Sequence, residues 1–391
     1  MTAVWVAAAR RTPIGAFLGA LGSVTAPMLG AAAVRAALAD SGAGADQVDE
    51  VILGCVLPAG LGQAPARQAA LAAGIDRSVP ATTVNKVCGS GMRSAMIGCD
   101  AIRAGSARVV VAGGFESMSL APYLLPKARQ GYRFGHGELL DHLLYDGLQN
   151  PYDGKAMGVF ADATAAKYGF TRAQQDAFAA ESVRRAQAAV EGGAFTREIV
   201  AVTVKGRKGV EIVERDETLA QCDPDKIPKL KPAFSADGTV TAASSSSLSD
   251  GAAALVLMAE DALGAGGVTP LARVVAHASH AHEPQWFTTA PAGAIEKVLR
   301  KAGWKAGDVD LFEINEAFAV VTMAAMRDLG LDAARVNVNG GACALGHPIG
   351  ATGARILTTL VHALAARGLK RGIAALCIGG GEATAMAVEL P

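Results

Sequence analysis

The sequence predicts an α/β fold in which two similar halves pack against each other and a long insertion interrupts the first half. Three observations lead to this prediction: apolar runs alternate with Ala-rich helical segments, the same order of segments occurs twice, and one proline-rich stretch breaks the order. Continuous apolar runs are typical of strands buried on both faces, as in a parallel or mixed sheet. Functional residues of such sheets gather at strand ends and at the helix N-termini that follow.

The first predicted element is a strand in the N-terminal apolar run, residues 3–9. The run is too short to cross a bilayer, and its arginines follow it instead of preceding it, which differs from a secretory signal. No other run reaches membrane-spanning length without charge. We therefore expect a cytoplasmic protein that does not associate with a membrane.

The internal repeat is visible in two segments of the same shape. Residues 29–54 predict an Ala-rich helix, a glycine turn and a strand, and residues 292–315 predict the same series. In each half a short strand then precedes a glycine-rich loop, with Cys88 in the first loop and His347 in the second. An amphipathic helix and an apolar strand ending in glycines follow each loop. These two strands cover residues 109–114 and 374–379.

The stretch from about 120 to 249 interrupts the repeat, since it contains six prolines and most of the charge-dense sequence. It predicts two helices, 156–168 and 171–191, with Thr171 as the N-cap of the second. Its polar part, 205–231, predicts surface loops and a hairpin. We expect this insertion to cover the site and to supply substrate contacts.

After the insertion the chain returns to the first half with a predicted strand over residues 252–258. The sequence therefore predicts three units. They are a first half of residues 1–119 with 250–270, an inserted unit of residues 120–249, and a second half of residues 271–391.

Composition argues against several classes of function. Lys and Arg number 36 and so do Asp and Glu, so the net charge gives no overall reason for binding nucleic acid or an anionic membrane. The six scattered cysteines form no Cys-x-x-Cys pair, which argues against structural zinc and is typical of reduced intracellular thiols. No fourth ligand accompanies His277, His280 and His282, and we expect no bound metal.

The candidate chemistry lies in two cysteines and a histidine within glycine-rich segments. Glycines beside Cys88 leave backbone N–H groups exposed, and a helix N-terminus lowers the pKa of a thiol. Imidazole is the usual base for such a nucleophile, which is the role open to His347. Cys377 ends a strand before three glycines, where it could exchange a proton at a substrate carbon, and the N–H of Gly379 could line an oxyanion hole.

Each of these residues also has a purely structural interpretation when taken alone. Cys88 and Cys377 could be small buried apolar residues, and His347 could be a hydrogen-bonded structural histidine. Their combination favours catalysis. For Asn315 the sequence leaves two roles open: its side chain could hold a water or donate to an oxyanion, or it could cap the following helix.

Together these motifs resemble those of the thiolase family over nearly the full length, and most closely its acetoacetyl-CoA type. The matching motifs are residues 11–15, 84–91, 249–254, 315–318, 346–348 and 377–381. The resemblance implies a thiolase fold of two duplicated βαβαβαββ halves in five αβαβα layers, with the insertion over the site. It also implies a reversible ping-pong Claisen condensation of two acetyl-CoA to acetoacetyl-CoA and coenzyme A, within fatty acid and ketone body metabolism.

By this resemblance, Cys88 would accept the acyl group, His347 would be its base, and Cys377 would be the acid/base at the second acetyl-CoA. Asn315, through a water, and His347 would form one oxyanion hole. The N–H groups of Cys88 and Gly379 would form the other. No permanently bound cofactor is implied, since coenzyme A enters and leaves as substrate and product.

The resemblance further implies a homotetramer, a dimer of dimers, that uses the insertion around residues 132–148. Coenzyme A would lie along the insertion, in a pantetheine and acyl pocket lined by Leu148, Met157, Phe234, Ala242, Ser246, Ala317 and Phe318. Positions that depart from the family pattern include Ala156, Ser244 and Phe287. The basic residues Lys208, Lys226, Lys229 and Lys231 could bind the phosphates of coenzyme A or form a solvated face.

Two alternatives remain open from the sequence. One is a thiolase for longer 3-ketoacyl-CoA, and the other is a non-catalytic acyl-CoA or lipid-binding relative with the same fold. Ketoacyl synthases share the architecture but use a second histidine where this chain has Cys377.

Overall fold

In the computed structural model, described for residues 2–206, 209–266 and 269–391, the first half alternates strands and helices. Its elements are β1 (Val4–Arg11), β2 (Gly15–Ala16), α1 (Ala26–Ser41), β3 (Glu50–Gly54), α2 (Pro65–Ala73), β4 (Ala81–Val84), α3 (Ser90–Ala104) and β5 (Val109–Ser117). Every residue of β5 is buried, as the apolar sequence predicts for a strand covered on both faces.

The insertion contains the two predicted helices and the predicted hairpin. Its elements are β6 (Tyr123–Leu124), β7 (Leu140–Asp141), α4 (Met157–Tyr168), α5 (Arg172–Glu191), β8 (Val202–Gly206) and β9 (Gly209–Val213). The Thr171 side chain accepts the N–H of Gln174, and the Gln174 side chain accepts the N–H of Thr171, so α5 begins with a reciprocal capping box. The predicted N-cap is therefore confirmed.

The chain then completes the first half and builds the second. The remaining elements are β10 (Ser249–Ala259), α6 (Glu260–Gly266), β11 (Ala272–Ala281), α7 (Ala290–Ala302), β12 (Leu311–Ile314), α8 (Ala319–Leu329), α9 (Ala342–Leu345), α10 (Thr352–Arg367), β13 (Arg371–Ile378) and β14 (Glu382–Glu389). Strand β10 lies between β1 and β5 and pairs with both in antiparallel register.

The long strands of the two halves join edge to edge in a mixed sheet of order β12-β13-β14-β11-β1-β10-β5-β3-β4. The halves meet where β1 pairs with β11 through Trp5–Arg273 and Val6–Ala272. Strand β3 runs parallel to both β4 and β5, and β12 runs parallel to β13. The ends of β4, β12 and β13 therefore bring the loops of Cys88, Asn315 and Cys377 into one region.

The apolar cores show five layers. One core lies between helices α1 and α2 and the sheet of the first half. A second contains α3 and α10 between the sheets of the two halves, and a third packs α7 and α8 on the outer face of the second half. The predicted αβαβα arrangement is confirmed, and its central helices are those that follow the Cys88 and His347 loops.

The second half differs from the first at its third strand. Where the repeat predicts a strand over residues 336–339, the chain forms only a single bridge between Val336 and Phe312. Asn337 has a positive φ of 48° and turns its side chain onto Ile314 instead. Its amide accepts the Ile314 N–H and donates to the Ile314 carbonyl, each at 2.8 Å, so a side chain replaces the strand pairing.

A buried ion cluster fixes the insertion to the first strand. The Arg11 guanidinium is fully buried and donates to Glu198 at 2.6 Å and to Asp216 at 2.7 and 2.9 Å. Both carboxylates belong to the insertion, and the guanidinium also lies over the ring of Phe195. Breaking such a pair leaves an uncompensated buried charge, so the insertion is held firmly against the first half.

Candidate active site

A cavity of about 470 Å³ lies where the loops of both halves meet the insertion. Its lining is mostly apolar and contains few polar groups, as is usual for a small-molecule site. The predicted site residues that line it are Cys88, His347, Cys377, Gly379, Leu148, Met157, Phe234, Ala242, Ser246, Ala317 and Phe318. The structure thus brings together every predicted site residue except Asn315.

Cys88 lies between strand β4 and helix α3, in a loop that packs against the end of β13. The loop turns at Val87, which has a φ of 46°, and a Cβ at Gly89 would collide with Ile378. The Cys88 thiol faces its own backbone N–H and the N–H of Gly379 as hydrogen-bond donors. Backbone N–H groups from both halves therefore lie near the sulfur, where they are available to an oxyanion formed on it.

An ion pair joins these loops across the boundary between the halves. Lys86, two residues before Cys88, contacts the carboxylate of Glu382, and both side chains are partly exposed. Glu382 begins β14, directly after the glycine turn that follows Cys377. The pair adds a charged contact to the packing that sets the separation of the two cysteine loops.

The thiol of Cys88 is not activated by the helix in the manner predicted. Burial raises its pKa to about 11, although the N–H groups of Gly379 and Cys88 oppose the shift. A fixed N–H stabilises a thiolate, but loss of hydration costs more when the surroundings are apolar. The resting residue is a neutral thiol, and it needs a base at the moment of attack.

His347 can act as the base for this neutral thiol, because its imidazole is also neutral. Its ring is buried, and this burial, with a smaller contribution from the Arg355 charge, lowers its pKa to about 3, so the imidazole is neutral. Nδ1 lies 2.7 Å from the hydroxyl of Thr352. Nε2 has no hydrogen-bond partner in the described structure, and His347 lines the cavity. The histidine can therefore present an unused ring nitrogen to a substrate or to a thiol.

Cys377 is the penultimate residue of β13 and is fully buried. Burial raises the pKa of its thiol well above the ordinary value, and the neighbouring Cys88 adds to the shift. Both cysteines line the same cavity. Gly380 and Gly381 follow with φ values of 94° and 88°, a backbone that favours glycine and turns the chain sharply away from the cavity.

Asn315 follows β12 and is not part of the cavity lining. Its backbone N–H donates to the Ala375 carbonyl at 2.9 Å. Helix α8 begins only at Ala319 with Phe318 in the capping position, so the N-cap interpretation of Asn315 is wrong. Both polar atoms of its buried side chain lack partners among the described residues. A buried amide with free donor and acceptor atoms suits a bound water, which is the other role that the sequence left open.

Aromatic rings form the wall of the cavity on the insertion side. Phe234 and Phe318 pack edge to face with centroids 5.8 Å apart, and Phe287 packs against Phe318 at 6.4 Å. Gly158 allows the close approach of Phe234, since a Cβ there would overlap the ring. These rings and the two cysteines line the same cavity.

Comparisons with known proteins agree with this geometry. The family models described as the thiolase N-terminal and C-terminal domains match residues 4–261 and 268–390. The chain belongs to the thiolase family. The acetyl-CoA acetyltransferases of Pseudomonas aeruginosa and Escherichia coli are 51% and 50% identical to this thiolase, over 99% and 98% of both chains. Acetyl-CoA acetyltransferase 2 of Arabidopsis thaliana is 50% identical over 99% of this chain and 97% of its own.

A solved structure extends the similarity to the fold. The Acat5 thiolase of Ascaris suum, in complex with coenzyme A, superposes with a TM-score of 0.94 at 43% identity and covers 100% of each chain. The thiolase fold and family predicted from the sequence are therefore confirmed.

Two buried carboxylates of this thiolase were not predicted from the sequence. Glu116 accepts backbone N–H groups of Val56, Leu57 and Gly350 at 2.9 to 3.1 Å, and burial raises its pKa to about 7. The Glu316 carboxylate accepts hydrogen bonds from the Ser182 hydroxyl, the Asn337 amide and the backbone N–H of Cys343. Burial raises the pKa of Glu316 as well. Each carboxylate ties the His347 loop to a neighbouring loop. Only their positions near the end of a strand hint at this in the sequence.

The remaining candidates lie outside the cavity of this thiolase. His277 pairs with Asp100 at 2.9 Å, and the rings of His280 and His282 pack edge to face. Among the described residues no group of three or more His, Cys, Asp or Glu could hold a metal ion, and no helix is both long and apolar enough to cross a membrane. Lys226, Lys229 and Lys231 do not line the cavity, and Lys208 is outside the described residues.

The neutral state of this cysteine and histidine predicts a distinctive pH dependence. With a thiol pKa of about 11, the thiolate fraction of Cys88 should increase throughout the range below that value. Alkylation of Cys88 by iodoacetamide, followed by mass spectrometry of its peptide, should therefore accelerate past the ordinary thiol pKa of 9.0. A rate that levels off near neutral pH would instead indicate a thiolate–imidazolium pair.

Proposed function

We propose that this thiolase is an acetyl-CoA C-acetyltransferase, which reversibly condenses two acetyl-CoA to acetoacetyl-CoA and coenzyme A. The chain is an acyltransferase by its family and by relatives at about half identity over its full length. The observation that carries the proposal is one cavity containing Cys88, a histidine with a free Nε2, and Cys377.

In the first half-reaction, the Cys88 sulfur attacks the carbonyl carbon of acetyl-CoA while Nε2 of His347 takes the thiol proton. The oxyanion that forms is stabilised by the N–H groups of Cys88 and Gly379, which already face the sulfur. Collapse expels the coenzyme A sulfur, which takes the proton from His347. The products are acetyl-Cys88 and free coenzyme A.

In the second half-reaction, His347 takes the thiol proton of Cys377, and the resulting Cys377 thiolate removes a proton from the methyl group of a second acetyl-CoA. The resulting negative charge on the thioester oxygen is stabilised by His347 and by a water bound to Asn315. The nucleophilic carbon then attacks the acetyl group on Cys88, and the departing Cys88 sulfur takes the proton held by His347. This completes acetoacetyl-CoA and returns both cysteines to thiols. Two oxyanions form at different oxygens, so the reaction needs two separate sets of donors.

Coenzyme A is proposed as a substrate and product that lies along the insertion, in the pocket lined by the seven residues predicted for it. Five of these belong to the insertion, namely Leu148, Met157, Phe234, Ala242 and Ser246. The share of the insertion in this pocket supports its treatment as a separate unit, residues 120–249. The first half then comprises residues 1–119 and 250–270, and the second half comprises residues 271–391. The bound coenzyme A of the Ascaris suum thiolase is consistent with this ligand class.

The test is thiolytic cleavage, followed as loss of acetoacetyl-CoA in the presence of free coenzyme A. Acetoacetyl-CoA should be cleaved faster than 3-ketoacyl-CoA of longer chains, because three aromatic rings line the cavity and would restrict a longer acyl chain. A preference for longer chains would identify the alternative thiolase, and no cleavage of any chain length would exclude a thiolase activity. Metabolite levels, not these residues, set the direction within fatty acid and ketone body metabolism.

We further propose a cytoplasmic homotetramer, assembled as a dimer of dimers through the insertion. The insertion exposes large apolar side chains, including Tyr123, Leu125, Phe134, Leu139 and Tyr152. Such a surface is typical of a protein interface. All six cysteines are free thiols, which suits a reducing compartment. A mass of one chain in analytical ultracentrifugation would contradict the homotetramer. Recovery of the protein from an oxidising compartment would contradict the cytoplasmic location.

A further inference from the structure

Thr352 is the first residue of α10, and its buried hydroxyl contacts the ring of His347. The Oγ1 atom lies 2.7 Å from Nδ1 of His347 and 2.9 Å from the carbonyl oxygen of Pro348. A hydroxyl has one proton to donate, so only one of these two atoms can receive it. The choice decides which nitrogen of the imidazole carries the ring proton.

The two possible arrangements differ in how many protons are satisfied. If the hydroxyl donates to the Pro348 carbonyl, Nδ1 carries the ring proton and donates it to Oγ1, so both protons have acceptors. If the hydroxyl donates to Nδ1 of His347, the ring proton moves to Nε2, which has no partner within the described residues. A buried N–H without an acceptor is costly, which favours the first arrangement.

The first half contains the same arrangement in an unambiguous form. Ser90, the first residue of α3, accepts the backbone N–H of Lys86 at 2.8 Å. Its own proton therefore goes to the Val87 carbonyl, 2.7 Å away. The helices α3 and α10 occupy equivalent places in the repeat. In both, the first hydroxyl of the helix can donate to a carbonyl of the preceding loop while it accepts an N–H from that loop.

We propose that Thr352 is a positioning residue for acyl transfer, which holds His347 in the Nδ1–H tautomer so that the lone pair of Nε2 is available in the cavity. The inference rests on the proposed function, in which Nε2 takes the proton of Cys88. Thr352 does not itself line the cavity, so it acts through the ring. Without the hydroxyl the ring can place its proton on Nε2, where it prevents the nitrogen from acting as a base.

The test compares Thr352→Val with Thr352→Ser and with a matched control in the same helix. Thr358 is equally buried and its hydroxyl makes the same bond to a carbonyl four residues earlier, that of Ala354, without a histidine contact. The rate of Cys88 acetylation by acetyl-CoA should fall about 100-fold in Thr352→Val, with KM little changed. Thr352→Ser keeps the acceptor oxygen and should stay near wild type, as should Thr358→Val.

A second readout reports the tautomer directly. In protein with ¹⁵N-labelled histidine, the His347 signals, assigned by their loss in His347→Asn, should show the proton on Nδ1 in wild type and on Nε2 in Thr352→Val. Wild-type acetylation in Thr352→Val, or a wild-type proton on Nε2, would overturn the inference. The inference would also be overturned if Thr352→Val and Thr352→Ser lost acetylation rate equally and in proportion to their loss of thermal stability. If wild type itself is not acetylated, the proposed function is wrong. The position of the His347 ring proton in wild type and in Thr352→Val still tests the role of Thr352.

Discussion

Replacement of Cys88 by alanine should abolish both acyl-enzyme formation and turnover. The cavity offers the acyl group a single sulfur that faces two backbone N–H groups, and alanine removes it. Loss of a nucleophile that acts together with a base costs about 10⁴-fold or more in turnover. Incubation with radiolabelled acetyl-CoA, followed by denaturation and counting of protein-bound label, measures the first effect, and thiolysis of acetoacetyl-CoA measures the second.

Cys99→Ala provides the matched control for this prediction. Cys99 lies on helix α3, the helix that follows the Cys88 loop, and is fully buried in the core between the two sheets. Its loss should leave labelling and turnover close to wild type, with only a modest loss of stability from the removed sulfur. Stable label in Cys88→Ala would mean that another group accepts the acetyl unit, and the assignment would be wrong.

Much of the scaffold was predictable because its signals are local. Apolar runs identify strands buried on both faces, and glycines after a strand identify loops that approach a ligand closely. The placement of Cys88, His347 and Cys377 in one cavity follows from the repeat, since equivalent loops of two similar halves lie at equivalent strand ends. Periodicity and motif order were therefore sufficient for the architecture and for the approximate place of the site.

What could not be predicted depends on contacts between segments distant in sequence. The third strand of the second half is replaced by the side chain of Asn337, which pairs with Ile314 across 23 positions. Burial outweighs the N–H groups at Cys88, and a sequence shows neither the depth of a thiol nor its neighbours. Glu116 and Thr352 act through one or two hydrogen bonds to the His347 loop, and polar residues at such positions have no distinctive pattern.

The two cysteines of the cavity differ in their access to the ligand. Cys88 is partly exposed, whereas Cys377 is fully buried and its thiol pKa is raised well above the ordinary value. Both thiols are neutral at rest, but only Cys88 is partly exposed, so the fully buried Cys377 is the less suited of the two to accept the first acetyl group. The same sulfur can take a proton from a carbon acid once His347 has removed its thiol proton and the developing oxyanion is stabilised.

Cys377→Ala should therefore separate the two half-reactions. Acetylation of Cys88 by acetyl-CoA should persist, because its sulfur, His347 and the N–H of Gly379 are all retained. Condensation to acetoacetyl-CoA should fall about 10³-fold, as expected when a positioned acid/base is lost. A second readout is exchange of the acetyl-CoA methyl protons with deuterated solvent, which requires the carbon acid step alone and should stop in the variant.

The control for Cys377→Ala is again Cys99→Ala, since both cysteines are fully buried and both substitutions remove one sulfur from a core. Equal thermal stabilities with unequal condensation rates would assign the loss to chemistry and not to packing. Normal condensation or continued methyl exchange in Cys377→Ala would remove its acid/base role. Loss of acetylation as well would mean that the sulfur of Cys377 supports the geometry of the Cys88 loop, since both residues line the same cavity.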